Sequence, residues 1–231
     1  MPKNQNVEKH FTATDTVRDI VIGMSDGLTV PFAIAAGMSG ANVAASVVVI
    51  AGLAEIAAGS ISMGLGGYLS GRTEVEHYTT ERAREVLETK NVPELEVKEV
   101  ADILRGLGLE ENQVDSVAAA ISKDRNRWVD FMMRFELGLE EPNPRRALQS
   151  AITIGLSYAL SGFIPLAPYI LLNSVNTALL VSVAVTLIAL LVFGFIKGRV
   201  IGVNPWVSGL QTMLIGGIAA GAAFGIARLI G

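Results

Sequence analysis

Hydrophobic and polar positions divide the chain into an apolar part, a heavily charged part and a second apolar part. Five apolar runs are long enough to cross a hydrocarbon core, which takes about 20 helical residues. They are Ile20 to Met38, Val43 to Leu69, Ala147 to Leu172, Val175 to Ile196 and Trp206 to Ala227. The first two contain one acid each, and the other three contain no charge. Between the second and third runs, Val97, Val100, Ala101, Leu104 and Leu107 make one apolar helical face, and Val114, Val117, Ile121, Trp128, Phe131 and Phe135 make another. The pattern predicts three helices there, with loops at Asn91 to Leu95 and Gly106 to Leu109, the first helix continuing out of the second membrane span. The expected fold is an all-α membrane protein of five transmembrane helices with a three-helix cytoplasmic bundle between the second and third. Residues 1–71 hold the N-terminal tail and spans one and two, 72–146 the bundle, and 147–231 the last three spans.

Composition supports this class and removes others. Of 231 residues 51% are hydrophobic and 17% charged, which excludes a disordered or collagenous chain. With no cysteine and only His10 and His77, the chain cannot build a thiolate zinc site, a redox pair or a multi-histidine cage. A net charge of −4 without a concentrated basic face argues against nucleic acid as a partner. All 22 acids precede residue 142, and 17 lie between Arg72 and Arg146 beside 12 basic residues, so the bundle is acidic. Lys3, Lys9, Arg18, the bundle's basic residues, Lys197 and Arg199 all fall on one side of the predicted topology, leaving Arg228 on the other. By the positive-inside rule the N-terminus and the acidic segment face the cytoplasm. A cleaved signal peptide is not expected, because the first run begins at residue 20 and holds Asp26 and Pro31.

Asp26 and Glu55 lie well inside apolar runs, where an ionisable group is costly and marks an ion path or proton relay; packing by a hydrogen-bonded carboxyl is the alternative. No lysine or arginine stands within the spans to pair with them, which leaves a cation, a proton or a backbone donor. Pro31 cannot donate to the carbonyl of Gly27, so the first span is expected to be broken or kinked beside Asp26. Met63 follows Glu55 by eight residues, about two turns along the helix and roughly 80° around it. A thioether near a carboxylate suits a borderline transition ion, although a membrane methionine by itself is usually a packing residue. Small residues four apart, at Gly23/Gly27, Gly67/Gly71 and Gly217/Gly221/Gly225, permit close helix contact within one chain or across a dimer.

In the acidic segment Glu81, Glu85 and Glu88 share one helical face, Glu96 and Glu99 stand three apart, and Met132, Met133 and Glu136 are spaced to meet. Converging faces would offer several carboxylates with one or two thioethers. Surface pairs from Arg82 to Glu85 and Arg84 to Glu88, with the methionines in a core, would account for the same spacing. Glu74 and His77 form one Glu-x-x-His motif, whereas a di-iron bundle needs two, so a ferroxidase centre is not expected.

Three blocks then converge. VRDIVIGMSDGLTVPFAIAAGMSGA, LAEIAAGSISMGLGGYLSGRTEVEHY and WVDFMMRFELGLEEPNPRRALQSA closely resemble the vacuolar iron transporter family, over nearly the whole chain from about Phe11 onward. The resemblance implies a homodimer of five-helix protomers that exports ferrous iron, or another divalent transition metal, from the cytosol in exchange for protons. It assigns the transport pathway to Asp26, Glu55 and Met63, with Asp26 and Met63 meeting the metal. Cytoplasmic metal binding falls to Glu85, Glu88, Glu96, Glu99, Met132, Met133 and Glu136. It implies no permanently bound cofactor, with Fe2+ as cargo, and residence in the lipid bilayer of a prokaryotic plasma (inner) membrane or a eukaryotic vacuole. A membrane-tethered iron sensor and a ferroxidase-like enzyme are the competing readings.

Overall fold

The structure is a computed structural model that describes residues 14–230; Lys3, Lys9 and His10 lie outside these. Eight helices account for its regular structure: α1 (Thr14–Gly40), α2 (Ala45–Asn91), α3 (Pro93–Gly106), α4 (Glu111–Ser122), α5 (Arg125–Phe135), α6 (Arg146–Leu171), α7 (Val175–Ile201) and α8 (Pro205–Ile230). Among the described residues α1, α2, α6, α7 and α8 are long and apolar enough to cross a membrane. The described residues form two compact units, one of the chain up to Tyr68 together with the chain from Ala147 onward, and the other of Leu69–Arg146. α2 is continuous through both, with 47 residues and a length of about 70 Å.

In the first unit α1 is the shared packing partner. Leu28 packs with Leu190 and Phe193 of α7, and Phe32 and Ala36 pack with Ala220 of α8. Ala35 joins Val48 of α2, Tyr169 of α6 and Ala178 of α7. On its α6 side Gly27 permits a near contact between backbones: a Cβ there would stand 2.8 Å from the Tyr158 Cα. Gly23 is likewise used within the chain, against Ile154 and Ser157, whereas Gly221 and Gly225 have nothing within contact distance of a Cβ. The α1–α2 connection turns through Asn42, at φ 56°, a left-handed conformation that asparagine tolerates. Asn204 caps α8 by accepting from the Trp206 and Val207 amides, and Pro205 follows where a missing N–H costs nothing. Large apolar side chains such as Leu160, Leu180 and Ile218 remain on the surface, the expected arrangement where the outer medium is hydrocarbon.

Two sequence expectations change here. α1 is a single helix through Pro31, so of the break or kink expected beside Asp26 the break does not occur. In the second unit, the loop expected at Asn91 to Leu95 shrinks to Val92, because Pro93 occupies the first helical position, where it is readily accepted.

The third bundle helix is two helices. Asp124 accepts from the Asn126 and Arg127 amides and starts α5 afresh, ending the apolar periodicity that had joined Val114 to Phe135. The bundle core is Val100, Ala101 and Leu104 of α3, Val114 and Ala118 of α4, and Trp128 and Met132 of α5. Leu107 and Phe135, expected in the core, are 58% and 48% exposed. Leu107 caps the end of α3, and Phe135 instead stacks on Phe131 with ring centres 4.7 Å apart.

Candidate functional site

Asp26, Glu55 and Met63 are all half-buried in the first unit, Asp26 on α1 and the other two on α2. The partner foreseen for Glu55 was a cation, a proton or a backbone donor, and the structure supplies a different one. Tyr158 of α6, 2% exposed, donates its hydroxyl to Glu55 Oε1. The other oxygen, Glu55 Oε2, is buried without a hydrogen-bond partner. Asp26 adjoins Gly27, where a Cβ would stand 2.8 Å from the Tyr158 Cα, so its stretch of α1 lies against the same residue. The acids of α1 and α2 are thus related through one residue of α6.

The second unit gathers the carboxylates that the sequence spaced along separate helices. Glu85 of α2 and Glu96 of α3 are 2% and 3% exposed, and Oε2 of each is buried without a hydrogen-bond partner. Burial pushes the Glu85 carboxyl up to about 7, helped by Glu136, Glu88 and Glu99 and opposed by Arg84. Burial likewise pushes Glu96 up to about 7, helped by Glu99, Glu85, Glu88 and Glu136. Glu136, on the exposed side, is raised by desolvation of its carboxyl and by Glu99 and Glu88, and opposed by Arg84. The five glutamates therefore share one field.

Even so, no group of three or more histidine, aspartate or glutamate side chains among the described residues could hold a metal ion as placed. The expected metal-binding bundle is accordingly a helical bundle with a convergent acidic face rather than a closed cage. Met132 is fully buried in the bundle core, and Met133 is 1% exposed outside that cluster. Of the foreseen surface pairs, Arg84 to Glu88 is present at 3.6 Å, but Arg82 bonds Asp130 of α5 at 2.7 Å instead of Glu85. That leaves Glu85 to face inward. His77 is exposed, 4.0 Å from Glu81, and joins no carboxylate group of metal-binding size among the described residues.

The model of the VIT family matches residues 17–228. The chain belongs to the VIT family. It is 53% identical over 99% of its length to Vacuolar iron transporter 1 of Tulipa gesneriana, covering 95% of that protein. It is 56% identical to Vacuolar iron transporter of Centaurea cyanus over 97% of this chain and 92% of the relative. With Vacuolar iron transporter cccA of Arthroderma benhamiae it shares 39% identity over 93% of this chain and 79% of the relative. The resemblance read from the three sequence blocks is borne out over residues 17–228 of this VIT-family chain.

Two residues of this family member escaped the sequence reading. Tyr158 stands in an uncharged apolar run, where the available signal was that a buried phenol needs a hydrogen-bond partner. Asp19 lies seven residues before Asp26, on the same face of α1, and is 2% exposed. It precedes the first apolar run by one residue, so the run's composition gave no signal for it.

Proposed function

We propose that this VIT-family chain moves ferrous iron, or another divalent transition metal, out of the cytosol in exchange for protons. The observation that carries the reading is the pair of carboxylates, Asp26 and Glu55, set inside membrane-crossing helices and related through Tyr158. It stands in a chain similar over nearly its whole length to proteins named vacuolar iron transporter. The protein is a membrane transporter, not an enzyme, and Fe2+ is its cargo rather than a resident cofactor.

Asp26 and Met63 are the proposed metal contacts of the pathway, contributed once by each protomer of a homodimer. Met63 is half-buried in the single chain, and neighbouring Ile61 and Leu65 are 72% and 54% exposed, so this stretch of α2 has surface to offer a second copy. Glu85, Glu88, Glu96, Glu99, Glu136, Met132 and Met133 are the proposed cytoplasmic binding set, closing around an ion that neutralises their shared charge. Glu55 is the proposed proton relay. With no lysine or arginine in the spans beside the acids, a proton neutralises a carboxylate when metal is absent, and an arriving cation displaces it. The N-terminus and residues 72–146 face the cytoplasm, in a plasma or vacuolar membrane.

A sensor anchored by inert helices would leave Asp26 and Glu55 without a task. A ferroxidase would need a second Glu-x-x-His, which the sequence lacks. The deciding experiment is ferrous iron flux into proteoliposomes under an imposed pH gradient, with manganese, cobalt and zinc as competitors and a pH-sensitive dye inside. Absence of flux when iron binding is intact would favour the sensor.

A further inference from the structure

We propose that Tyr158 is a positioning residue of the transport path, pinning one oxygen of Glu55 so that the other, left without a partner, is the one that takes a proton or a cation. The inference rests on the reading of Glu55 as a path residue. Three contacts fix Tyr158 before its hydroxyl acts. Its backbone lies against α1 at Gly27, next to Asp26, where a Cβ would come within 2.8 Å of the Tyr158 Cα. Its ring occupies the space left by Gly59, one turn beyond Glu55 on α2, where any Cβ would collide with the ring and hydroxyl. Its side chain is excluded from the surface, at 2% exposure. A residue wedged between the two acid-bearing helices has little freedom to withdraw its hydroxyl.

The hydroxyl donates to Glu55 Oε1, whereas Oε2 is buried and has no partner. A buried carboxylate oxygen without a donor is costly, so a proton or cation arriving at Glu55 is directed to Oε2. Without the pin, the carboxylate can rotate and present either oxygen. Tyr169, eleven residues further along α6, is the internal contrast. It is similarly buried, at 3% exposure, but its hydroxyl pairs with Ser39 Oγ at 2.9 Å. That neutral pair contains no acid and gives Tyr169 no hold on the path.

The test uses the full chain in proteoliposomes, with ferrous iron as the transported ion and internal dyes reading metal and pH. Tyr158→Phe keeps the ring beside Gly59 and removes only the donor. It should elute as the parent protein does, yet lose about tenfold or more in flux, a typical consequence of losing a hydrogen bond to a charged group. Its proton-to-metal ratio and the pH profile of its flux should change as well. Tyr158→Phe combined with Glu55→Gln should be no worse than Glu55→Gln alone, because the tyrosine acts through the glutamate. Tyr169→Phe should leave ratio and profile unchanged. If Tyr158→Phe keeps the parental ratio and profile while Glu55→Gln alters both, Tyr158 is a packing residue and the proposal is overturned. A double variant worse by the product of the single effects would also overturn it. If Glu55→Gln itself leaves flux and ratio untouched, the path reading of Glu55 fails first and takes the proposal with it.

Discussion

Glu85 near the end of α2 and Glu96 in the first turn of α3 are both almost wholly buried, and the Glu85 carboxylate lies close enough to oppose ionisation of Glu96. Eleven residues and a helix boundary separate them in sequence. A polar face of two helices has been turned inward, which costs free energy unless a cation or protons neutralise it.

The pH dependence of metal binding follows from that pair. Glu85 and Glu96 are raised from 4.5 to about 7, and a divalent ion favours their ionised form, so binding should release protons and weaken as pH falls below 7. One proton displaced per ion gives about tenfold in affinity per pH unit, and two give about a hundredfold. In the metal-free protein, these raised carboxyls contribute stability fully below about pH 4.5, and that contribution is lost as pH rises through about 7. Titration calorimetry of the full chain in buffers of differing ionisation enthalpy measures the released protons. Replacing both residues by glutamine should flatten the profile, and a pH-independent affinity in the parent protein would remove the role.

Asp26→Ala and Met63→Ala should each abolish metal flux while leaving an assembled protein. Flux through either at the parental rate, in reconstituted protein of parental size, would exclude that residue from the pathway.

Met132 separates packing from ligation. Because it is fully buried in the bundle core, Met132→Ala should destabilise the bundle by about 2–5 kcal/mol whatever the metal does. Met132→Leu conserves volume and should cost less than about 1.5 kcal/mol, yet still weaken iron binding if the thioether is a ligand. Equal affinity in the leucine variant and the parent would leave Met132 a core residue only.

Gly27→Ala brings a Cβ against the Tyr158 backbone, which cannot swing aside as a side-chain tip could, so α1 and α6 must separate. A loss of about 1–3 kcal/mol, seen as a lower melting temperature in detergent, is expected. Gly221→Ala meets nothing within 4 Å in the single chain and should melt as the parent does. A large effect there would point instead to a partner protomer against α8.

The five spans were legible in the sequence because their cause is local. An apolar run of about 20 residues in hydrocarbon has few ways to satisfy its backbone other than a helix, and α7 begins at Val175 as read. The acidic character of residues 72–146 was legible for the same reason, being a matter of composition. Periodicity was less reliable at the join of α4 and α5, where an apolar face continues on either side of the cap at Asp124. The aspartate carried the signal, but the repeat of apolar positions concealed it.

What only the tertiary structure decided is which polar atoms meet. Charged side chains are by default solvated, so spacing alone favoured exposure for Glu85 and Glu96, and their burial depends on where the far half of α2, α3 and α5 pack. The Tyr158 hydroxyl reaches Glu55 across 103 residues of sequence, a contact set by glycines that let α1, α2 and α6 approach closely. Hydrophobicity and helical period are properties of a segment and survive in its sequence, whereas a hydrogen bond between segments exists only once their packing has brought donor to acceptor.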